Sequence, residues 1–167
     1  ENMNRDEIYE ALDSAREALL MAIETLPDEA LLQPGVMPGW SLADILAHLV
    51  AWESEMVTAL MRIDQGKTPN RLIAAFEDVD GYNTGRFQEN KGRDLDRIFE
   101  DLHGVRVQLE DWLTEFSDKD LTDPRRYSWS KGLPLWHIVA ENSFRHEQEH
   151  LPDIQAFADR WPAGSGG

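Results

Sequence analysis

Four long stretches of the chain carry apolar residues at intervals of three and four, which is the period of an amphipathic α-helix. These stretches cover residues 6–26, 41–66, 95–116 and 133–161, and charged residues lie between the apolar ones. No stretch alternates apolar and polar residues with a period of two, so no sheet is expected. Four such helices joined by loops of bundle length predict an all-α fold, an antiparallel four-helix bundle.

Capping residues, glycines and prolines indicate where these helices begin and end. Ser41 with Asp44 three residues later forms a shortened capping box ahead of the second helix. Between the second and third helices we predict a broken helix over 78–90, where glycines interrupt the pattern. Residues 118–132 are predicted to be a polar crossing loop. The last helix is predicted to run unbroken over 133–161, with a kink at Pro152.

The composition fits one globular domain and restricts its partners. A length of 167 residues with 41% hydrophobic content allows a single core, which we place at residues 5–161 between flexible tails, 1–4 and 162–167. The chain has 32 acidic and 16 basic residues, a formal net charge of −16. A surface this negative repels phosphate groups and anionic lipid, so neither nucleic acid nor a membrane is an expected partner. The polar, acidic first segment and the lack of a long apolar run predict a cytoplasmic protein.

The chain contains no cysteine. This excludes disulfides, thiolate ligands and a protein thiol as nucleophile. Any tight site for a transition metal must therefore use imidazole and carboxylate ligands. A thiol that takes part in the chemistry would have to come from a small molecule.

Three of the five histidines fall on apolar faces of predicted helices. His146 and His150 are one turn apart, so their Cβ atoms lie about 5–6 Å from each other and both rings can reach one metal ion. His48 lies on the apolar face of the second helix, between Ile45 and Trp52. A lone inward histidine is more often a core residue bonded to a carbonyl or carboxylate. Three inward histidines favour a metal site with open coordination positions.

The remaining two histidines are predicted to lie outside this site. His137 is half a turn out of phase with His146 and should face away from it. His103 lies at the edge of the apolar face of its helix. We interpret both as surface or rim residues.

Polar residues near the predicted ligands are candidates for orienting an imidazole or an attacking group. Asn142 and Asp44 each lie one turn before a predicted ligand on the same face, and they are the candidate catalytic residues. Glu149 and Asp153 could also approach the site. Glu147, in contrast, is predicted to face solvent.

Aromatic and basic residues supply candidates for the walls of a substrate pocket. Tryptophans that could line the mouth of the bundle, as an alternative to anchoring its core, are Trp40, Trp129 and Trp136. Basic residues that could hold an anionic cofactor are Arg125, Arg126 and Lys131.

The arrangement of these motifs resembles the DinB/YfiT-like superfamily. One block runs from Pro38-Gly39-Trp40-Ser41 through Asp44–Leu49 to Trp52-Glu53, and a second from Pro134-Leu135-Trp136 through Asn142, His146 and His150 to Leu151-Pro152. The segment Asp80-Gly81-Tyr82-Asn83 also resembles members of unknown function. The resemblance covers nearly the whole domain.

The resemblance implies a four-helix bundle that frequently dimerises and a metal held by His48, His146 and His150. The metal would be zinc, nickel, iron or manganese. Characterised relatives are thiol-dependent transferases and isomerases that act with mycothiol, bacillithiol or glutathione. Another branch, that of the colibactin self-resistance protein, hydrolyses a reactive cyclopropane without relying on such a triad. This chain resembles that branch in part, yet it keeps all three histidines.

Three functions follow from these observations. The first is a metal-dependent enzyme that acts on a small electrophilic substrate by thiol transfer or hydrolysis. A metal on three neutral imidazoles can lower the pKa of bound water from about 15.7 toward about 7, or hold a thiol as thiolate. The alternative is a non-catalytic, metal-containing protein that binds or sequesters a toxic small molecule. The last is a dimeric structural bundle in which the metal mainly adds stability.

Overall fold

The computed structural model describes residues 1–162, and its fold is the predicted all-α four-helix bundle. In chain order its helices are α1 (Arg5–Ile23), α2 (Asp28–Leu32), α3 (Leu42–Asp64), α4 (Asn70–Glu77), α5 (Val79–Asn90), α6 (Leu95–Leu113), α7 (Asp118–Thr122), α8 (Leu135–Glu141) and α9 (Phe144–Arg160). The long helices α1, α3, α6 and α9 form the bundle, in which α3 packs along α6 and α1 along α9. None of the helices in this part of the chain is long and apolar enough to cross a bilayer.

The predicted apolar stripes form the core. Fully buried side chains from the long helices include Ile8, Leu12, Leu19, Ile45, Met56, Leu60, Leu109 and Ile154. Each such side chain contributes about 1.5–3 kcal/mol to folding when it leaves water. The core has two apolar clusters, one around Met56 and Leu109 and the other around Ile45 and Ile154. All four long helices contribute to both clusters.

The last helical stretch is interrupted at Asn142 and Ser143, between α8 and α9, where the sequence predicted one continuous helix. Ser143 has φ −138° and ψ −102°, which is not helical. Asn142 Nδ2 donates to the carbonyl of Ile138 at 2.8 Å, and Ser143 Oγ donates to the carbonyl of Val139 at 2.6 Å. These side chains satisfy carbonyls at the end of α8, so the break leaves few backbone groups without partners.

The prediction of one unbroken helix over 133–161 was therefore wrong, whereas the kink predicted at Pro152 stays a prediction. Pro152 lies inside α9, and the helix continues past it to Arg160. Proline removes one backbone hydrogen bond from a helix. Ile154 and Phe157 follow it and are both buried, so their packing offsets the lost bond.

The polar segment 118–132 is more ordered than the predicted loop. It contains α7 and a 3₁₀ turn at Ser128–Ser130. Ser117 and Asp120 form a capping box that starts α7, and the fully buried Leu121 anchors it to the core. The helix predicted over 78–90 is α5, with α4 ending immediately before it.

A tight turn precedes α3 and orients its first residues. Trp40 N donates to the carbonyl of Met37 at 2.9 Å, and Gly39 between them has φ +77°. Proline followed by glycine with positive φ is the signature of a type II turn. The predicted capping box of Ser41 and Asp44 follows at once and starts the helix. Trp40 is thereby held beside the first turns of α3.

The N-terminal segment 1–4, predicted as a loose tail, contacts the domain. Asn4 forms a capping box with Glu7 at the start of α1. Asn2 accepts a hydrogen bond from Trp136 Nε1 at 2.9 Å, and Met3 packs against the core. The predicted C-terminal tail, apart from Pro162, lies outside the described residues.

Candidate metal centre

Three histidines from two helices converge at one point. His48 comes from α3, whereas His146 and His150 lie one turn apart on α9. The Nε2 atoms of His48 and His146 are 3.0 Å apart, and those of His150 and His146 are 3.2 Å apart. The structure thus brings together the three residues that the sequence predicted as ligands, and all three are partly buried.

The spacing of these nitrogens suits a shared metal ion. Two nitrogens that each lie about 2.0–2.1 Å from one metal are about 2.9–3.4 Å apart for angles between octahedral and tetrahedral geometry. Two of the three separations, 3.0 and 3.2 Å, fall in this interval, and the third pair, His48 and His150, lies within 4.8 Å. A hydrogen bond could explain either contact alone, but the central His146 nitrogen approaches both neighbours. The donor set of three imidazoles also suits zinc, nickel and iron.

The surroundings keep these imidazoles uncharged at neutral pH. Burial, with added repulsion from His150, lowers the pKa of His48 to about 4. Burial lowers the pKa of His146 to about 3, with added repulsion from His48 and His150. Burial also lowers the pKa of His150, against the opposing effect of Glu149 and Asp153. Neutral imidazole is the form that binds a metal.

The three rings open onto a cavity of about 380 Å³ between α3, α5 and α9. Its aromatic walls are Trp40, Trp52 and Phe76. The ring of Trp40 meets His48 edge-on at 5.4 Å between centroids, and Trp52 stacks on Phe76 at 5.8 Å. Trp52 Nε1 donates to Asn83 Oδ1 at 2.7 Å, which fixes both side chains at the cavity wall.

Only one of the three tryptophans proposed for the pocket mouth lines this cavity. Trp40 does so, whereas Trp129 and Trp136 pack against the apolar core. Trp52 takes their place together with Phe76 and Asn83. Phe76 and Asn83 were not predicted for this site, because they lie on the short helices α4 and α5, whose packing could not be predicted.

The candidate polar residues occupy different positions around the site. Asn142 lines the cavity, but its Nδ2 already donates to a backbone carbonyl, so only its remaining amide groups can meet a substrate. Glu149 and Glu141 lie at the exposed rim. Asp44 caps α3 through Ser41 and lines a narrow gap beside His48. Asp153 does not line the cavity, but its negative charge opposes the lowering of the pKa of His150.

The predicted anchors for an anionic cofactor lie elsewhere. Arg126 pairs with Asp120 at 3.0 Å near α7, and neither it nor Arg125 nor Lys131 lines the histidine cavity. No lysine or arginine lines this cavity in the described part of the chain, while Glu141 and Glu149 do. The side chains of the lining therefore disfavour an anion unless the charge of a bound metal offsets them.

Glu147, predicted to face solvent, is 2% exposed and belongs to a buried ionic layer. Its Oε1 accepts hydrogen bonds from Arg16 Nη2 at 2.7 Å and from Arg106 Nη2 at 2.8 Å. Arg106 also binds both oxygens of Glu53, at 3.0 and 3.2 Å. One residue from each long helix takes part, and the layer adjoins both ligand-bearing helices.

A sequence signal for this ionic layer existed but was ambiguous. Each member lies four residues after a buried residue: Arg16 after Leu12, Glu53 after Leu49, Arg106 after Leu102 and Glu147 after Ser143. A charged residue at such a position normally indicates the border of the apolar face. Only the approach of all four helices pairs the charges, and no local pattern contains that information.

These features define a helical bundle with a three-histidine site at the edge of its core. The sequence profile of the DinB superfamily matches residues 11–154, and the chain belongs to this superfamily. A search of curated proteins found no match.

Solved structures share this fold at low sequence identity. The colibactin self-resistance protein ClbS, solved in complex with a dsDNA, superposes with a TM-score of 0.80 at 14% identity, over 95% of this chain and 98% of its own. A Streptococcus pneumoniae protein gives 0.79 at 11% identity, over 95% and 92%. DfsB, described as a sibling lethal factor precursor, gives 0.74 at 16% identity, over 95% and 97%. The DNA in the ClbS structure is at odds with the prediction, made from charge, that a protein of this kind has no nucleic-acid partner.

Proposed function

We propose that this protein is a metal-dependent enzyme that acts on a small, uncharged electrophile. The observation that carries the proposal is the convergence of three neutral imidazoles at the wall of a cavity. His48, His146 and His150 would hold a divalent transition metal, namely zinc, nickel, iron or manganese. When bound, such a metal supplies Lewis-acid chemistry, which makes water or a thiol more acidic and polarises an electrophile.

The residues around the cavity suit binding and proton transfer. Trp40, Trp52 and Phe76 offer apolar surface to a small molecule and exclude water from it. Asn142 can orient a polar group of the substrate through the part of its amide that is not bonded to the backbone. Glu149, at the rim, can accept or return a proton.

The side chains of the cavity offer no partner for the carboxylates of an anionic thiol, so we favour hydrolysis over thiol transfer. Glutathione carries carboxylates, and the histidine cavity has carboxylates of its own but no cation in its lining. Thiol transfer needs a cation from outside this lining. An uncharged electrophile and water meet no such repulsion.

The second candidate is a protein that sequesters a toxic molecule without turnover. The aromatic cavity supports it, because such walls bind apolar molecules without any chemistry. The fold shared with the self-resistance protein ClbS also supports it, although identity is only 14%. Counting product molecules per protein distinguishes the two: more than one product supports the enzyme, and a single stoichiometric capture supports the binder. A homodimer and a cytoplasmic location stay predictions.

Metal loading tests the site itself. Protein stripped with chelator and reloaded with zinc, nickel, iron or manganese is expected to hold one ion per chain by elemental analysis. His146→Ala should weaken binding by at least about 100-fold, since loss of a supporting residue alone costs 10–100-fold. The matched control is His103→Ala, which removes an exposed histidine outside the cluster and should bind as wild type. A wild type that takes up no metal would refute the proposal.

Turnover then tests the chemistry. Loaded protein is expected to hydrolyse p-nitrophenyl acetate or styrene oxide without added thiol, and His146→Ala should lose this activity. Glutathione, bacillithiol and mycothiol with a chlorinated aromatic acceptor test the transferase. Activity that requires one of these thiols would contradict hydrolysis and favour thiol transfer.

A further inference from the structure

Two asparagine side chains on the wall of the histidine cavity are held in a fixed orientation by their bonding partners. Asn142 is 3% exposed and lines the cavity from the break between α8 and α9, whereas Asn83 lines it from α5. The oxygen and nitrogen of an amide can exchange places by rotation of the group, so either atom can face a ligand. Here the partner of each amide decides which atom it binds and which atom is left for a ligand.

Asn142 presents a hydrogen-bond acceptor to the cavity. Its partner is the carbonyl oxygen of Ile138 at 2.8 Å, which can only accept, so the bonded atom of the amide must be Nδ2. The other atom, Oδ1, forms no hydrogen bond within residues 1–162 and is not enclosed by protein atoms. Because the residue is almost fully buried and lines the cavity, this oxygen is the part of it that a bound molecule meets.

Asn83 presents a hydrogen-bond donor to the same cavity. Its partner is Trp52 Nε1 at 2.7 Å, which can only donate, so the bonded atom of the amide must be Oδ1. Nδ2 forms no hydrogen bond in the described part of the chain and is likewise not enclosed. The side chain cannot turn over without losing its bond to the indole. The cavity therefore has one fixed acceptor and one fixed donor, on different elements.

We propose that the substrate carries an uncharged carboxamide group, an inference that rests on the proposed function and narrows its substrate class. The N–H of the ligand donates to Asn142 Oδ1, and its carbonyl accepts from Asn83 Nδ2. A carboxylate has no donor for Asn142, and an ammonium group has no acceptor for Asn83. An ester has no N–H and leaves the buried Asn142 oxygen without a partner, which weakens binding. The apolar part of the ligand lies against Trp40, Trp52 and Phe76.

Titration of the full-length, metal-free protein, followed by ligand NMR, tests this recognition without metal or turnover. The probes share a phenyl ring: benzamide, N,N-dimethylbenzamide, methyl benzoate and benzyl alcohol. Benzamide is expected to bind at least about 5-fold more tightly than the dimethyl form and the ester, which lack the N–H, and than benzyl alcohol, which lacks the carbonyl. If this preference is found in a protein that takes up no metal, the proposed enzyme is refuted while the carboxamide site stands.

Two variants connect the preference to the two amides. Asn142→Leu removes the acceptor, so benzamide and its dimethyl form should bind within about 2-fold of each other. Asn83→Asp keeps the oxygen that binds Trp52 but replaces Nδ2 by oxygen, so the advantage of benzamide over benzyl alcohol should shrink by at least about 3-fold. The matched control is Asn90→Leu. Asn90 Nδ2 also donates to the carbonyl four residues earlier, that of Arg86 at 2.9 Å, but Asn90 does not line the histidine cavity, so the wild-type preference should remain.

Thermal unfolding shows whether Asn142→Leu keeps the fold, and if it does not, Asn83→Asp alone decides. The proposal is overturned if benzamide does not bind at millimolar concentration, or if the dimethyl form or benzyl alcohol binds as tightly. It is also overturned if a folded Asn142→Leu or Asn83→Asp keeps the wild-type preference.

Discussion

At the scale of single residues, burial keeps the clustered histidines neutral, which is the form that binds a metal. The pKa of His48 is lowered to about 4 and that of His146 to about 3, mainly by burial. In the unfolded chain a histidine titrates near 6.5. Below pH 6.5 the unfolded state therefore binds more protons than the folded state. Stability of the metal-free protein must fall as the pH decreases through this window.

We expect each of these two histidines to remove about 1 kcal/mol of unfolding free energy per pH unit between pH 6 and 5. Urea unfolding of chelator-treated protein at several pH values measures this slope. His146→Gln should reduce the slope by about that amount, because glutamine does not titrate. His103→Gln, at an exposed position, should keep the wild-type slope. Equal slopes in wild type and His146→Gln would show that His146 is already charged in the folded state.

The sequence was sufficient to select these histidines because their selection depends only on helical phase. Residues four apart share a face, so His146 and His150 could be grouped and His137 set apart from one segment alone. Glu147 was predicted wrongly because its burial depends on contacts with other helices, which helical phase does not reveal. A glutamate in the core is unfavourable without a cation, and its partners Arg16 and Arg106 lie on distant helices.

At the scale of elements, the Pro38-Gly39 turn determines where α3 begins and where Trp40 lies. Gly39 has φ +77°, a conformation that costs an ordinary L-residue about 1–2 kcal/mol. Gly39→Ala should lower the unfolding free energy by about 1 kcal/mol and loosen Trp40 from the ring of His48. Chemical denaturation followed by tryptophan fluorescence measures the first effect, and metal affinity measures the second.

Gly85→Ala is the matched control for Gly39→Ala. Gly85 lies inside α5, its φ is not in the positive range, and an added Cβ would meet nothing within 4 Å. Alanine there should raise the unfolding free energy by about 0.5–1 kcal/mol. Stabilisation by both substitutions would mean that the turn at Gly39 tolerates an ordinary side chain.

Element boundaries were predictable where local chemistry sets them. The capping box of Ser41 and Asp44 uses contacts within one turn, and the start of α3 was predicted correctly. A kink was expected at Pro152, but no break was expected at Asn142 and Ser143. Proline is the stronger local signal, but the buried residues that follow it keep the helix intact. Polar side chains that bond to the preceding carbonyls had the larger effect.

At the scale of the whole molecule, a polar layer lies where the two apolar clusters of the core meet. Along α6, Arg106 stands between Leu102 of one cluster and Leu109 of the other. Along α3, His48 and Glu53 fall in the same interval, between Ile45 and Met56. The ionic layer and the histidine cluster are thus neighbours. We expect the layer to fix how α3 and α9, which carry the histidines, sit against each other.

Arg106→Met tests this expectation. The substitution leaves Glu53 without its cation and Glu147 with Arg16 alone, and breaking a buried ion pair from one side costs about 3–5 kcal/mol. Urea unfolding should show this loss, while Arg97→Met at an exposed site of the same helix should change stability by less than about 0.5 kcal/mol. Adding Glu53→Met to Arg106→Met should recover part of the stability, because it removes an unpaired charge. If the ionic layer also aligns the two ligand-bearing helices, metal affinity of the folded double variant should stay below wild type. Wild-type affinity in that variant would limit the layer to a role in stability.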